Sequence, residues 1–489
     1  MPRQAGSCGV LDYTGRDLEA TRRTYYMDSE TGSLTPLEPR FDPLKGKPLT
    51  VFVHYAVPSV VGILAATSAG VIDGIFIGNF VGATALAAVN ISMPAFYLLV
   101  AIAFMLAVGG SVVCGKYIGE GNMEAASLIF SKTLYASTAI ALLVVAPALF
   151  FLDQVVSGLG ANEELRPLVF TYMQIILWAS PLLIIGLTMD YFVRVDGRPL
   201  LASGAMVSFA VINITLDWLF VVRWGWGIKG AAWATALADV CFALILSTHF
   251  VSSRCHLHLK KVPARFKKGW DELFKAAYNG FSEFANETSV GLVTLLFNWV
   301  IITRMGVEGV AAFTVIGYLL MIGTNIGYGI SESLQPTVSK NLGARQPDRI
   351  VSFFKLALVS SLSVGLVFST LLILAPAAMI NVFLDAGETS TRDLTLTLIA
   401  VFWPAFLFNG MNITLAGYFT SLHRPLPSSA IALSRSLLLP AAGLMLLPQW
   451  FGDRGVFMAL PIAEGLTFLL GMALVWHLKP SQVSAGETR

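Results

Sequence analysis

Residues 51–78 read VFVHYAVPSVVGILAATSAGVIDGIFIG. The run exceeds the roughly 20 apolar residues that cross a bilayer as a helix, and its single carboxylate is Asp73. Similar stretches follow at about 85–113, 128–152, 165–190, 200–222, 229–252, 273–303, 309–335, 352–380, 393–420, 427–448 and 455–477. Twelve spans are therefore expected. Short polar breaks separate them, such as Val195-Asp196-Gly197-Arg198-Pro199 and Gly343-Ala344-Arg345-Gln346-Pro347. Of the 489 residues, 55% are hydrophobic and only 13% charged, with a mean hydropathy of +0.71. Soluble domains carry about a quarter charged residues. Disorder, a soluble multi-domain enzyme and a collagen-like fibre are all excluded.

Lys and Arg predict the orientation. With a cytoplasmic N-terminus, the inner loops receive Lys116, Arg194, Arg198, the 253–270 cluster, Lys340, Arg345, Arg349, Arg424 and Lys479. The outer loops receive only Arg166, Arg223, Lys229, Arg304, Arg392 and Arg454. This bias predicts both termini in the cytoplasm. No apolar signal segment precedes the first span. Cys8, Cys114, Cys241 and Cys255 lack CxxC spacing and read as ordinary thiols, not as a disulfide frame or metal site. The NxS/T sequons at Asn90, Asn213, Asn286 and Asn412 fall inside expected spans, which removes glycosylation as a reading.

The halves echo each other at an offset of about 225 residues. Lys116-Tyr-Ile-Gly119 matches Lys340-Asn-Leu-Gly343, Gly82 with Leu86-Ala-Ala88 matches Gly306 with Val310-Ala-Ala312, and Arg198-Pro-Leu200 matches Arg424-Pro-Leu426. Gly230 with Asp239 matches Gly455 with Glu464. Six spans per copy return the chain to its starting side, so the copies are parallel repeats about an axis along the membrane normal. The expected fold is an all-α integral membrane protein: twelve transmembrane helices in two pseudo-symmetric six-helix bundles. Its expected parts are a polar N-terminal extension (1–48), a first lobe (49–252), a basic linker (253–270), a second lobe (271–478) and a tail (479–489). Such geometry suits alternating access and favours a transporter.

Charges inside a bilayer are costly and mark function by default. Inside or close to the spans lie Asp73, Asp190, Asp217, Asp239, Glu283, Glu287, Glu332 and Glu464, against Arg435 alone on the basic side. These carboxylates require protons, water or a bound cation, which points to cationic cargo or a cationic coupling ion. Asp73 and Asp217 lie near the outer ends of spans 1 and 5. Asn213 shares a helical face with Asp217, and Thr235 of span 6 sits at similar depth. Two carboxylates, an amide oxygen and a hydroxyl suit either a small hard cation or proton exchange between paired acids. The repeat places Phe297 and Asn298 opposite Asp73, and the apolar run from Leu438 to Gly443 opposite Asn213 and Asp217, so this acidic set belongs to the first half alone. Asp239 and Glu464 are duplicated, and as candidate cavity carboxylates they either line the shared cavity or lock helix packing. Glu283 and Glu287, four apart on span 7, are expected to face the cavity, with one of them protonated or paired to a cation. Glu332 and Asp190 fall near the cytoplasmic ends of spans 8 and 4, either lining the cavity or solvated at the interface.

Asp73-Gly-Ile-Phe-Ile-Gly78 with Gly82 and Ala85-Leu-Ala-Ala88, Asn213-Ile-Thr-Leu-Asp217, Gly227-Ile-Lys-Gly230-Ala-Ala-Trp-Ala-Thr235, Gln335-Pro336 and Lys340-Asn-Leu-Gly343 together resemble the multidrug and toxic compound extrusion (MATE) family, most closely its prokaryotic branch. The resemblance covers about 50–478. It implies two six-helix lobes in a prokaryotic cytoplasmic membrane, exporting organic cations against inward flow of H⁺ or Na⁺ and needing no cofactor. Asp73, Asn213, Asp217 and Thr235 are implied as the coupling-ion site. The polar N-terminal extension is longer than the family's usual one. A monomer acting on small cationic molecules is expected, with no nucleic-acid partner.

Rival readings leave signatures. A flippase for lipid-linked sugar precursors predicts a basic cavity and usually extra spans. An ATP-driven pump predicts GxxxxGK[ST], and an intramembrane enzyme predicts HExxH or GxSxG; none of these strings occurs. A passive channel is separated from an antiporter only by transport.

Overall fold

A computed structural model describes residues 25–27, 34–36, 40–262, 270–380 and 389–478. Seven residues of the basic linker, 263–269, and the tail 479–489 lie outside the described residues, as does most of the N-terminal extension. Among the described residues, twelve helices are long and apolar enough to span a membrane. They are spans 1–6 at Pro48–Val81, Ala83–Gly119, Met123–Phe150, Arg166–Val195, Pro199–Arg223 and Ile228–Val251, and spans 7–12 at Phe281–Gly306, Glu308–Gly343, Pro347–Leu374, Arg392–Ser421, Pro425–Phe451 and Asp453–His477. A bilayer offers the backbone no hydrogen bonds, so each span satisfies its own.

The spans form two six-helix bundles. In the first, span 1 lies along span 5, span 4 packs on spans 2 and 6, and span 3 fills the groove beside spans 2 and 4. In the second, span 10 packs on spans 9 and 12, and span 11 lies along span 12. The turns repeat with the helices. Gly82 (φ 117°) separates spans 1 and 2, and Gly306 (φ 67°) separates spans 7 and 8. Gly227 (φ 60°, ψ −142°) leads into span 6, and Gly452 (φ 59°, ψ −141°) leads into span 12. Only glycine holds these angles without strain, which is why glycines persist at matching positions of the two halves.

Spans 1 and 2 of the first bundle meet spans 7 and 8 of the second. A Cβ on Gly119 would fall on the carbonyl oxygen of Lys340, and one on Gly343 would fall on that of Lys116. The contact is reciprocal, and its four residues are the ends of the repeated Lys-x-x-Gly strings. By span parity it lies at the face that carries the start of span 1 and the end of span 12. More polar contacts join the bundles there. Lys132 Nζ lies 3.0 Å from Glu272 Oε2, and the Tyr117 hydroxyl donates to Glu272. Residues 40–47, the end of the N-terminal extension, are tied to the second bundle: Asn341 Nδ2 donates to Pro43 O at 3.0 Å, and Arg349 Nη2 donates to Gly46 O at 2.7 Å.

Candidate functional site

Spans 1 and 5 each interrupt the α-helix with a wide π turn, Ile77–Val81 and Trp218–Arg223. Asp73 lies one turn before the first and Asp217 directly before the second. Widened turns of this kind recur at functional sites because they re-aim side chains and free backbone groups. Here they bring Asp73 and Asp217 within side-chain hydrogen-bond range of each other. Asp217 is fully buried and Asp73 is 9% exposed. No protein N–H or O–H reaches Asp73 Oδ1 or either oxygen of Asp217. Two carboxylates in mutual reach without a donor demand a shared proton or a bound cation, since two like charges that close cannot both stay bare.

Asn213, one turn before Asp217, is buried, and its Nδ2 donates to Thr235 Oγ1 across spans 5 and 6 at 3.3 Å. Asp73, Asn213 and Thr235 open together onto a cavity of about 520 Å³, walled by Asn90, Phe96, Tyr172 and Phe209. That volume fits a drug-sized molecule. Tyr172 lies within electrostatic range of Asp73, Asp217 and Asp239. The four residues expected at the coupling site are thus neighbours in space. Asp239 is buried on span 6 nearby.

The second bundle holds a cavity of about 480 Å³ with a different polar end. Phe297 and Asn298, the counterparts of Asp73, line it. A third π turn, Ser434–Leu438, carries Arg435 into its wall. Glu464 accepts from Arg435 Nη2 at 3.2 Å, from Asn409 Nδ2 at 2.9 Å and from Asn412 Nδ2 at 2.6 Å. Arg435 Nη1 also donates to Asn286 Oδ1 at 3.1 Å. Glu464 is therefore a neutralised, hydrogen-bonded carboxylate, unlike Asp217. Arg435 lies within electrostatic range of Glu283 and Glu287.

Glu332 and Asp190 are not solvated at the interface. Arg194, at the end of span 4, is buried and pairs with both: Nε lies 2.9 Å from Asp190 Oδ2, and Nη1 lies 2.8 Å from Glu332 Oε2. The Tyr191 hydroxyl donates to Glu332 at 3.1 Å, and Arg194 also reaches the Ser59 hydroxyl. Glu332 thus joins the bundles. Reading Arg194 as a loop residue left Arg435 as the sole buried cation. The missed signal was the Asp190-x-x-x-Arg194 spacing, which sets the two side chains on one helical face.

The sequence profile of the MatE family matches residues 58–219 and 284–443, most of both bundles. The chain is 24% identical over 435 residues to the multidrug export protein MepA of Staphylococcus aureus (strain MSSA476), covering 87% of this chain and 93% of that one. It is likewise 24% identical over 429 residues to MepA of Staphylococcus haemolyticus, with the same shares. Among solved structures, a multidrug resistance MATE family transporter of the MOP superfamily in an outward-facing conformation superposes with a TM-score of 0.84 at 20% identity, covering 93% of this chain and all of that one. A MOP superfamily transporter from Pyrococcus furiosus, described as having a binding pocket of reverse polarity, gives 0.83 at 21%, covering 92% and 99%. The profile spans more than half the chain: this multi-pass membrane protein belongs to the MATE family of multidrug efflux transporters and not to an enzyme family.

Proposed function

We propose that the protein exports lipophilic organic cations by antiport, with residues 49–252 and 271–478 moving as two lobes and both termini in the cytoplasm of a prokaryotic cell. Asp73 and Asp217 take up the coupling ion from outside, with Asn213 and Thr235 completing the site. The observation that carries the reading is the buried Asp73–Asp217 pair, which lacks protein donors and borders a drug-sized, aromatic-walled cavity. An empty pair is anionic and attracts either the coupling ion or a cationic cargo. Loading with the ion lowers its negative charge and weakens the hold on cargo. Each ion-derived positive charge moving inward gains about 2.3 kcal/mol per 100 mV of membrane potential.

H⁺ and Na⁺ make different demands on this geometry. Two carboxylates in mutual hydrogen-bond range suit one shared proton. Na⁺ needs several oxygens, and the Asn213 amide nitrogen already occupies one lone pair of Thr235 Oγ1. We favour H⁺. The ion pair of Arg194 with Glu332 and the Gly119–Lys340 contact close the terminus-bearing face; the alternate state would part them. A flippase for lipid-linked precursors needs cations along its cavity, whereas the cavity beside Asp73 has no Lys or Arg in its wall among the described residues.

The deciding experiment is efflux of a fluorescent lipophilic cation from proteoliposomes under a separately imposed H⁺ or Na⁺ gradient. Wild type is expected to export under the H⁺ gradient, and Asp73→Asn and Asp217→Asn to fail. Export without any imposed gradient would point to a channel. Failure of wild type under both gradients would overturn the antiport reading.

A further inference from the structure

Apart from the transport cavities, one cluster near the terminus-bearing face carries chemistry that export does not use. Asp196 sits in the turn between spans 4 and 5, His249 is on the last turn of span 6, and Cys255 and His256 open the linker to the second bundle. His249 Nε2 lies 2.7 Å from Asp196 Oδ2, and His256 Nδ1 lies 3.2 Å from Asp196 Oδ1. The ligand atoms of Asp196, His249 and Cys255 all fall within 4.8 Å of one another. These three residues are buried, and the His256 side chain is 69% exposed.

We infer that Asp196, His249, Cys255 and His256 form a binding site for a borderline-soft divalent metal, Zn²⁺ or its chemical equivalent. One thiolate, two imidazoles and one carboxylate are a tetrahedral donor set of the kind Zn²⁺ takes. Bonds of about 2.0–2.3 Å to such donors set ligand atoms about 3.3–3.7 Å apart, so Asp196, His249 and Cys255 must tighten by roughly an ångström at their widest, and the exposed His256 ring, already on Asp196 Oδ1 but outside that three-residue group, must turn toward them. Charge also balances. The thiolate and carboxylate cancel the dication, leaving a neutral site where the surroundings are buried and the Lys340 ammonium is within electrostatic range of Asp196.

The carboxylate is already prepared. Asp196 lies against the His249 and His256 rings and accepts from the His256 amide at 3.0 Å. On metal binding, the Cys255 thiol, which donates to Leu257 O at 3.0 Å in this structure, releases its proton to water. The His249 ring exchanges its Nε2 proton for one on Nδ1, an atom with no protein partner here. Exposed His256 provides the entry path. Once formed, the site ties the span 4–5 turn, the end of span 6 and the root of the inter-bundle linker together. That junction adjoins the span 8 end where Lys340 meets Gly119, so metal occupancy stiffens the hinge side of the transporter.

The test uses the full chain in detergent with its affinity tag removed and metal stripped. Zn²⁺ is titrated against a chromophoric chelator, and Co²⁺ is added separately as a spectroscopic substitute. Wild type is expected to bind one equivalent. Cys255→Ser and His256→Ala should each weaken it by about tenfold or more, while Cys241→Ser should bind as wild type does. Co²⁺ should show a thiolate charge-transfer band that Cys255→Ser abolishes. His256→Ala keeps the test decisive if Cys255→Ser misfolds, because its side chain is largely in solvent. Wild-type affinity in His256→Ala, a Co²⁺ spectrum without the thiolate band, or no binding by wild type would each overturn the assignment. Gradient-driven efflux by metal-free Cys255→Ser should match that of metal-free wild type, which separates this site from the transport reading.

Discussion

Arg194 Nη1 lies 2.8 Å from Glu332 Oε2, so a cation of the first bundle is shared between an acid of its own helix, Asp190, and an acid of the other bundle. Arg194 and Asp190 are buried and Glu332 is largely so, and removing one partner of such a group leaves an uncompensated charge. Arg194→Ala is expected to cost about 3–5 kcal/mol and to lower the thermal midpoint clearly. Glu332→Gln should cost less, because Asp190 still neutralises the guanidinium. Its diagnostic effect is on the closed face. With other thiols removed, a cysteine at Ser59 should label faster in Glu332→Gln than in the parent. Equal labelling would show that the pair stabilises the fold without latching the bundles.

The acid pair of the first bundle predicts the opposite pattern. Asp217 has no protein donor on either oxygen, so the native fold gains nothing from its charge. Asp73→Asn introduces an N–H₂ group facing Asp217. The variant should therefore match or exceed wild-type thermal stability, by about 1 kcal/mol if the new hydrogen bond forms, while losing gradient-driven efflux. A variant that loses stability and efflux together would indicate a structural role for the carboxylate.

The carboxylates also show how far the sequence was legible. Twelve spans, two bundles and the neighbourhood of Asp73, Asn213, Asp217 and Thr235 follow from hydropathy, an internal repeat and helical spacing, all local or periodic properties of the chain. The fates of Glu332 and Glu464 do not. The sequence leaves each open between a cavity role and another, because whether a buried acid is bare or paired depends on which side chain of a distant helix reaches it. Arg194 and Glu332 are 138 residues apart, and Asn412 and Glu464 are 52 apart. The clustering of Asp196, His249, Cys255 and His256 is invisible in the sequence for the same reason, since no CxxC-like spacing announces residues drawn from three elements. The π turns that re-aim Asp73, Asp217 and Arg435 also leave no mark in composition.

In the second bundle, Glu464 accepts from Arg435 and from two asparagines. Glu464→Gln removes the carboxylate that pairs with buried Arg435 and is expected to cost about 3–5 kcal/mol. Arg435→Met should be better tolerated, because Asn409 and Asn412 continue to hold the carboxylate. Thermal unfolding in detergent ranks the two. In either variant, transport that survives should keep the wild-type ion dependence. A changed ion preference would move the coupling site, in part, to the second bundle.

Gly119 and Gly343 make the sharpest steric prediction, because each occupies space that a carbonyl of the opposite bundle claims. Gly119→Ala puts a methyl against backbone, which cannot rotate away as a side chain would. Overpacking of this kind costs about 1–3 kcal/mol, and here the cost falls only on the state in which spans 2 and 8 touch. The variant should therefore favour the conformation open at the terminus-bearing face, seen as a longer distance between spin labels on the ends of spans 2 and 8, with efflux slowed. Gly343→Ala should do the same, since the contact is reciprocal. Gly204→Ala in span 5 is the control: its Cβ would meet nothing within 4 Å, and alanine should stabilise the helix by about 0.5–1 kcal/mol without changing the distance. If Gly119→Ala behaves like Gly204→Ala, the bundles do not need this contact to close.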